Sequence, residues 1–199
     1  LIDTCIGNDK SRTGQGPIYK KNKNILSHWN NRKSNYIQNL ESLGVSLESI
    51  DIVMCTHLHA DHVGWNTMRQ EDAWVPTFPN AKYLIAKPEF SYWQDQDEGE
   101  FGDIFSDSVK PVFDAGLVQL VGLDHRLSDS ISLQPSLGHS PGHVSIKIES
   151  KGQSAIITGD CVHHPCQMNR NDWSSTADYD AKQAMKTRTD LFESLADTE

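Results

Sequence analysis

Apolar residues in the first third of the chain follow two different patterns. Between Tyr36 and Leu43 they fall at helical spacing, and Gly44 follows, which predicts a short amphipathic helix ending at this glycine. Ser46 then has the position of a cap for one further helical turn. Residues 50–55, IDIVMC, form a continuous apolar and β-branched run that is typical of a buried strand.

The middle of the chain adds two strands and one helix. Residues 81–86 and 117–121 are short apolar runs that predict strands. Residues 101–116 predict a helix that is interrupted or ended near Pro111, because proline cannot donate the helical hydrogen bond.

In the last third of the chain, a strand pattern gives way to a helix. Residues 143–150 alternate apolar with polar, as in an antiparallel strand with one solvated face, and a turn leads into a strand over residues 154–160. Asp180 with Gln183 resembles a capping box that opens a final helix. Strands in two batches, each followed by helix, predict a layered α/β or α+β domain. The final helix carries an apolar stripe of Ala181, Ala184, Met185, Leu191, Phe192 and Leu195.

Length and charge narrow the class of protein. The 199 residues suffice for one domain with a substantial core, so we expect a single domain over residues 1–199. A net charge of −9 without a dense basic patch argues against nucleic-acid and anionic-membrane partners. Residues 7–24 are polar and rich in glycine, which predicts a surface loop with solvated lysines at 20–23. The expected partner is a small-molecule substrate, and a homodimer is left open.

The cysteines and the first residues bear on location. Cys5, Cys55, Cys161 and Cys166 form no CxxC pair and are too sparse for a disulfide framework, so we expect free buried thiols in a reducing compartment. No apolar stretch approaches the ~20 residues of a transmembrane helix. The chain begins at Leu1, in what reads as the end of a buried strand, so we expect sequence upstream. A cytoplasmic location is predicted, with secretion as the open alternative.

One short segment concentrates metal-binding side chains. THLHADHVG, residues 56–64, holds His57, His59, Asp61 and His62 directly after a predicted strand. In an extended segment, residues two apart project to the same side, so His57 and His59 can reach one ion together. Asp61 and His62 lie one turn further on and can face a second position. Imidazole and carboxylate ligands suit zinc, with iron, manganese or cobalt as alternatives.

Two later segments carry the same chemistry. LGHSPGH, residues 137–143, is a loop with His139 and His143, and its glycines permit the sharp turns that close approach to an ion requires. IITGD, residues 156–160, ends a predicted strand with the carboxylate of Asp160, whose two oxygens can bridge two cations. Three ligand-rich segments in one chain favour a metal site over ordinary packing.

Taken together, these segments resemble one family. The pattern His57-x-His59-x-Asp61-His62, the loop that ends at His143 and the strand end at Asp160 are similar to those of the metallo-β-lactamase superfamily of metallohydrolases, in the same order over nearly the whole chain. The opening LIDTCIG also resembles that family's LIDTG strand and turn, with Cys5 where glycine is usual.

The resemblance implies a fold: an α+β, four-layer αβ/βα sandwich. It also implies that both the N- and C-termini are incomplete here, because the family's first strands precede its LIDTG element. In addition, a further metal-binding histidine follows the family's last helix, and we expect it beyond Glu199. The whole chain, residues 1–199, would then be one domain of this type.

The resemblance also implies a ligand set for two divalent metal ions, with Zn2+ as the first candidate. His57, His59 and His139 would hold the first metal ion. Asp61 and His62 would hold the second, and Asp160 would bridge both. His143 matches a position that is usually structural and would brace its loop, while His163 and His164 would line the pocket.

The implied reaction is metal-dependent hydrolysis. Two cations roughly 3.5 to 4 Å apart can hold a hydroxide between them, which attacks a bond polarised by one of the ions. Asp61 is the candidate catalytic residue, since its second oxygen can pass a proton to the leaving group. Residues 159–167 and 172–173, together with residues 55–66, are similar to the lactonase and organophosphate-hydrolase branch, so we expect a lactone or ester substrate. A glyoxalase II-like thioesterase and a degenerate, non-catalytic metal-binding module are the alternatives.

Aromatic residues follow the first ligand segment. We expect each of them to pack in the core rather than line a substrate pocket. Asp178 and Tyr179, before the final helix, give a weaker signal for a pocket. The aromatic set is Trp65, Trp74, Phe78, Phe90, Tyr92 and Trp93.

Overall fold

The computed structural model describes residues 1–14, 20, 27–96 and 103–196, which form two compact units. The first unit comprises Leu1–Ile85 and Trp93–Leu120, and the second comprises Ala86–Tyr92 and Val121–Glu199. The single-domain assignment stays a prediction. None of the helices in the described ranges combines the length and the apolar character needed to cross a membrane.

Short strands and helices make up both units. The strands are β1 (Ile52–Met54), β2 (Thr67–Gln70), β3 (Ala73–Pro76), β4 (Lys82–Ala86), β5 (Val118–Val121), β6 (Ile131–Pro135), β7 (Val144–Ser150) and β8 (Gln153–Ile157). The α-helices in the described residues are α1 (Tyr36–Ser42), α2 (Ala60–Val63), α3 (Lys87–Gln94), α4 (Lys110–Asp114), α5 (Cys166–Asn169) and α6 (Ala181–Leu195).

Within the described residues, the strands form three sheets. In the first unit, β1, β4 and β5 form a sheet in the order β1-β4-β5, with β1 and β4 parallel and Val53 paired with Tyr83. β2 and β3 form an antiparallel hairpin. In the second unit, β6, β7 and β8 form an antiparallel sheet in chain order. Strand β1 lies in the interior because its residues are apolar and β-branched. The histidine-rich segment follows directly after it in the chain.

The strand predictions at residues 50–55, 81–86, 117–121 and 143–150 are confirmed by β1, β4, β5 and β7. The strand predicted over residues 154–160 ends earlier, at Ile157, so Asp160 lies in the 3-10 turn Gly159–Cys161 instead of at the strand end. The β2–β3 hairpin and β6 were not predicted. The hairpin turns at Glu71 with φ +53, and a glutamate gives no turn signal in the sequence.

Helix α1 is confirmed between Tyr36 and Ser42, and Gly44 follows with φ +75. The helix is amphipathic as predicted, because Tyr36, Ile37 and Leu40 are partly buried while its polar residues are exposed. None of its residues is fully buried, however, and Leu43 is 78% exposed instead of joining the apolar face. The turn after Ser46 is present as Leu47–Ser49, without a side-chain cap from Ser46.

Pro111 does not end its helix. Residues 101–102 lie outside the described residues, and from Phe105 to Val109 the chain forms a π-helical turn that continues into α4. Proline has no N–H to donate to the carbonyl four residues earlier, which is that of Asp107. Two side chains donate to this carbonyl instead: the Lys10 Nζ lies 2.9 Å from Asp107 O, and the Thr67 hydroxyl donates to the same oxygen.

The prediction of a solvated surface loop over residues 7–24 is wrong for Lys10 and Arg12, which lie in the described residues 7–14. Lys10 and Arg12 are completely buried, and both contact Asp107, with Arg12 making two hydrogen bonds to the carboxylate at 2.7 and 3.0 Å. The Lys10 ammonium also lies 3.8 Å from the ring centroid of Trp74. Buried cations are tolerated here because they are paired and hydrogen-bonded. Lys20 is exposed, whereas residues 21–23 lie outside the described residues.

Two details of the second unit differ from the predicted alternation and stripe. Ser145 in β7 is buried, because its hydroxyl lies 2.9 Å from Ser136 Oγ and 3.1 Å from Thr158 O. In α6 the buried residues are Ala184, Arg188 and Leu191, while Met185 and Leu195 are exposed. Arg188 joins the buried stripe since its guanidinium donates to three backbone carbonyls, those of Cys161, Asn171 and Trp173.

Candidate functional site

The first candidate cluster lies in the first unit and consists of Asp3, His57, His59, Asp61 and His62. β1 delivers the chain to Cys55, and the residues up to His59 remain outside helix, so His57 and His59 project from one irregular segment. His59 is the N-cap of α2, whose first turn then carries Asp61 and His62. The structure therefore places these residues as predicted: on a loop after a strand and at the start of a helix.

The rings of the first cluster are close together. Nε2 of His57 lies 3.0 Å from Nδ1 of His59, and the ring centroids of His57 and His62 are 4.0 Å apart. Two nitrogens bound to one tetrahedral zinc at 2.0–2.1 Å lie roughly 3.3 Å apart. The His57–His59 pair is therefore spaced as two ligands of one ion. Asp61 stands further out, with Oδ2 3.7 Å from His62 Nε2.

Asp3 sets the orientation of two of these rings. Its Oδ2 lies 2.9 Å from Nδ1 of His62 and also accepts the hydroxyl of Thr56 at 2.8 Å. Because the Thr56 hydrogen is given to Asp3, the contact between Thr56 Oγ1 and His57 Nδ1 at 3.1 Å needs the proton on the ring. Both His57 and His62 thus hold a proton on Nδ1 and direct Nε2 away from Asp3.

Gly64 allows the chain's first residues to reach this cluster. A Cβ built at Gly64 would lie 1.8 Å from Ile6 O, so no larger residue fits against that backbone. The segment is fixed by backbone hydrogen bonds from Asp3 N to Met54 O at 2.8 Å and from Thr4 N to His62 O at 2.6 Å. Close backbone contact therefore places the Asp3 carboxylate beside His62.

The second candidate cluster lies in the second unit and consists of His139, Asp160, His163 and Asp178. His139 is 1% exposed, with Nε2 3.4 Å from Asp160 Oδ2 and Nδ1 2.9 Å from Asp178 Oδ1. His163 Nε2 lies 3.3 Å from the same oxygen of Asp160. His139, His163 and Asp178 offer ligand atoms within 4.8 Å of one another, an arrangement that could hold a metal ion.

His143 braces the second cluster from within. It is fully buried, and both ring nitrogens are used: Nδ1 lies 2.8 Å from Ser136 Oγ, and Nε2 accepts the backbone N–H of Asp160 at 3.0 Å. This arrangement fixes the backbone that carries the Asp160 carboxylate. It matches the bracing position that the sequence resemblance implies for His143.

Glu89 supports the loop between His139 and His143. Its carboxylate is buried and accepts the hydroxyl of Ser140 at 2.7 Å and the N–H of Gly142 at 2.8 Å. The loop is thereby held by a side chain from α3, which is more than forty residues away in sequence.

The orienting carboxylates Asp3 and Glu89 were not singled out as site residues from the sequence, and Asp178 gave only a weak signal for a pocket. Glu89 gave no signal, because a glutamate in a helix is ordinarily solvated. Asp3 stood inside the LIDT segment and Asp178 preceded a predicted cap, so their positions were visible but their partners were not. His164 is exposed, and its Nδ1 accepts the N–H of Cys166.

The cysteines divide by exposure. Cys55 and Cys161 are buried as expected, whereas Cys5 and Cys166 are exposed, contrary to the prediction of buried thiols. Burial raises the pKa of Cys161 to about 11. The thiol next to Asp160 is therefore protonated at neutral pH and is unsuited to act as a nucleophile.

Three of the six predicted core aromatics are buried, namely Trp65, Phe78 and Phe90, whereas Trp74, Tyr92 and Trp93 are partly exposed. Two aromatic pairs border the clusters instead. The ring of Trp93 lies 5.4 Å from that of His59 in the first unit, and Tyr92 packs edge-on against Tyr179 at 5.2 Å in the second. Tyr179 is 63% exposed, so one face of this pair is open to solvent.

Comparison with known proteins gives one family and a set of similar folds. The family model described as the metallo-beta-lactamase superfamily matches residues 1–197. None of the curated proteins compared matches the chain. The predicted fold class, an α+β fold of this type, is confirmed by that match and by the solved structures that follow.

Three solved structures illustrate the likeness. A probable metal-dependent hydrolase from Staphylococcus aureus has 23% identity and a TM-score of 0.78, covering 98% of this chain and 65% of its own. The hydrolase AbOPH of the beta-lactamase superfamily has 26% identity and a TM-score of 0.73, over 98% of this chain and 63% of its own. AidC, a dizinc quorum-quenching lactonase in complex with a product, has 20% identity and a TM-score of 0.72, over 99% and 64%. The chain thus spans a little under two thirds of the length of these proteins.

Proposed function

The chain belongs to the metallo-β-lactamase superfamily, and from that membership we propose that the protein is a metal-dependent hydrolase that cleaves a lactone or ester bond at a dinuclear metal centre. The observation that carries the proposal is the 3.0 Å distance between His57 Nε2 and His59 Nδ1. Beside this pair, Asp3 accepts a hydrogen bond from Nδ1 of His62 and fixes the orientation of that ring. Ordinary packing gives no reason to crowd imidazoles in this way, whereas shared coordination does.

The proposed ligand set follows the family motif residue by residue. By that motif, His57, His59 and His139 would hold one metal ion, Asp61 and His62 would hold the other, and Asp160 would serve as a ligand shared by the two. The donor chemistry fits: four imidazoles and two carboxylates suit Zn2+, with iron, manganese or cobalt as alternatives. The orientation of the rings fits as well, since the partners of His57, His62 and His139 all engage Nδ1 and leave Nε2 to face other candidate ligands.

Divalent metal ions, when bound, lower the pKa of water and polarise the bond under attack. The residues of the chain must then orient the substrate and move a proton. Asp61 is suited to the proton transfer because its side chain is 35% exposed, so a carboxylate oxygen can meet a leaving group that enters from solvent. We assign to Asp61 the delivery of a proton to the leaving oxygen.

The substrate class rests on charge and on the similar proteins. A net charge of −9 disfavours nucleic-acid substrates. AidC is a quorum-quenching lactonase, and its fold resembles that of this chain. A small lactone or ester is accordingly the substrate that we propose.

The test is a hydrolysis screen of the full-length protein loaded with Zn2+, over lactones, aryl esters, thioesters and phosphotriesters. We expect turnover of lactones or aryl esters, and a loss of at least a hundredfold in kcat/KM for His57→Ala and for Asp160→Ala. His125→Ala, a histidine from the segment before β6, is the matched control and should retain wild-type turnover. Preferential turnover of thioesters would replace the substrate class with a glyoxalase II-like one, and no turnover of any class would contradict the proposal.

A further inference from the structure

We propose that Asp178 is a positioning residue for His139: its carboxylate accepts the Nδ1–H of that ring and thereby presents Nε2 to the metal. The role of Nε2 as a ligand rests on the proposed function. The tautomer that Asp178 imposes does not, and it can be measured without metal.

The contact is short, buried and directional. Asp178 Oδ1 lies 2.9 Å from His139 Nδ1, and the exposed fractions of the two side chains are 0% and 1%. An ionised carboxylate can only accept a hydrogen bond, so the proton must be on Nδ1 of the ring. The opposite nitrogen, Nε2, then points to Asp160, whose Oδ2 is 3.4 Å away.

The backbone around Asp178 is fixed to the segment that carries His139. Tyr179 N donates to His139 O at 3.1 Å, and Asp180 N donates to Gly138 O at 2.8 Å. Residues 179–180 are therefore hydrogen-bonded through their backbone to residues 138–139. The Asp178 carboxylate is placed against the ring by this pairing and does not depend on a flexible side chain.

The second oxygen of Asp178 is also occupied, and its partner makes the proposal testable. Ser175 N–H donates to Asp178 Oδ2 at 2.8 Å. A backbone N–H cannot accept, so whatever group replaces Oδ2 must be an acceptor. In Asp178→Asn the amide oxygen is thus required at Ser175, and the amide NH2 is turned toward His139 Nδ1.

The variant Asp178→Asn should therefore reverse the tautomer of His139. An NH2 group donates, so Nδ1 must accept and the ring proton moves to Nε2, the nitrogen that a metal would need. Long-range 1H–15N NMR of metal-free protein, at mildly alkaline pH and with labelled histidine, distinguishes the two forms. We expect His139 to carry its proton on Nδ1 in the wild type and on Nε2 in Asp178→Asn.

Zn2+ affinity provides the second readout, by competition with a chromophoric chelator. Loss of an orienting carboxylate typically weakens metal binding by about 10- to 100-fold, and we expect that range for Asp178→Asn. Asp180→Asn is the matched control, because Asp180 caps α6 through Lys182 N and Gln183 N, and asparagine caps helices equally well. Its tautomer and affinity should equal those of the wild type.

Two results would overturn the proposal. One is a wild-type His139 protonated on Nε2, which can be observed even if the variant fails to fold. The other is an Asp178→Asn protein with the wild-type tautomer and a Zn2+ affinity within twofold of the wild type. Absence of hydrolysis with every substrate would contradict the proposed function but would leave the tautomer result standing.

Discussion

Asp3 and His62, 59 residues apart in sequence, are joined by a 2.9 Å contact between a carboxylate oxygen and Nδ1. The same carboxylate accepts the N–H and the hydroxyl of Thr56, both at 2.8 Å. One acidic residue thus connects the first segment of the chain to both ends of the histidine-rich loop, and it fixes the protonated nitrogen of His62 directly and that of His57 through Thr56.

Replacement of Asp3 by alanine should destabilise the protein. Thr56 is fully buried, and an unsatisfied buried donor costs about 1–3 kcal/mol, so we expect the free energy of unfolding to fall by about 2–4 kcal/mol in metal-free protein. Asp9→Ala is the matched control, since Asp3 and Asp9 adopt similar left-handed conformations, with φ +50 and +62. Equal losses in the two variants, measured by denaturant unfolding, would assign the effect to backbone strain and refute the role of the hydrogen bonds.

Gly138 should tolerate no side chain. It has φ +125, and a Cβ there would lie 2.2 Å from Ala184 N at the start of α6. We expect Gly138→Ala to lower the free energy of unfolding by about 3 kcal/mol or more, through strain and overpacking together. Gly116→Ala provides the comparison, because Gly116 has φ +71 and nothing within 4 Å of a Cβ. Equal losses of stability for the two variants in thermal unfolding would show that the close contact with α6 does not contribute to the effect at Gly138.

The sequence predicted the three ligand-bearing segments but not what orients them. Strands β1, β4 and β7 were evident, because runs of apolar and β-branched residues are a local signal. Burial of Lys10 and Arg12 was not evident, since it depends on Asp107 nearly a hundred residues later and on a carbonyl exposed by Pro111. The same reason explains why Asp178 gave only a weak pocket signal and its role was not predicted: its partner His139 is 39 residues away in sequence.

The capping box at α6 shows the same division between local and distant effects. The local half is confirmed, as Asp180 accepts from the N–H of Gln183. The reciprocal half is wrong: the Gln183 side chain donates to Thr187, and Asp180 N donates to Gly138 O. The loop that carries His139 therefore replaces the expected partner.

Arg188 should not be replaceable by lysine. Its guanidinium donates to Asn171 O at 3.1 Å, Cys161 O at 3.0 Å and Trp173 O at 2.6 Å, and a single ammonium cannot reach all three carbonyls. We expect Arg188→Lys to lower the free energy of unfolding by about 2–3 kcal/mol. Arg170→Lys, at an exposed arginine paired with Asp172, should leave stability unchanged in the same denaturant titration. Indistinguishable unfolding midpoints for the two variants would contradict this role.

Lys10 should make stability depend on pH in the alkaline range. Burial lowers the pKa of Lys10 from 10.5 to about 8, an effect that Asp107 opposes only in part. Between these values the unfolded chain keeps a proton that the folded protein has lost, so the free energy of unfolding rises with pH. Below pH 8 both states are protonated and this residue contributes no slope.

The corresponding measurement compares the wild type with Lys10→Met from pH 7 to 10.5. As pH rises, the free energy of unfolding of the wild type should increase relative to that of Lys10→Met, by up to about 3 kcal/mol. Taking the difference removes the opposing contributions of thiols and tyrosines. Parallel pH profiles would show that Lys10 is not held at a lowered pKa.

The most direct test of the proposed dinuclear hydrolase is to measure metal content and hydrolysis on the same sample of full-length protein. We expect about two equivalents of divalent metal, loss of lactone or ester hydrolysis when a chelator removes them, and recovery when Zn2+ is returned. Hydrolysis that persists at the original rate in protein stripped of metal would contradict the account.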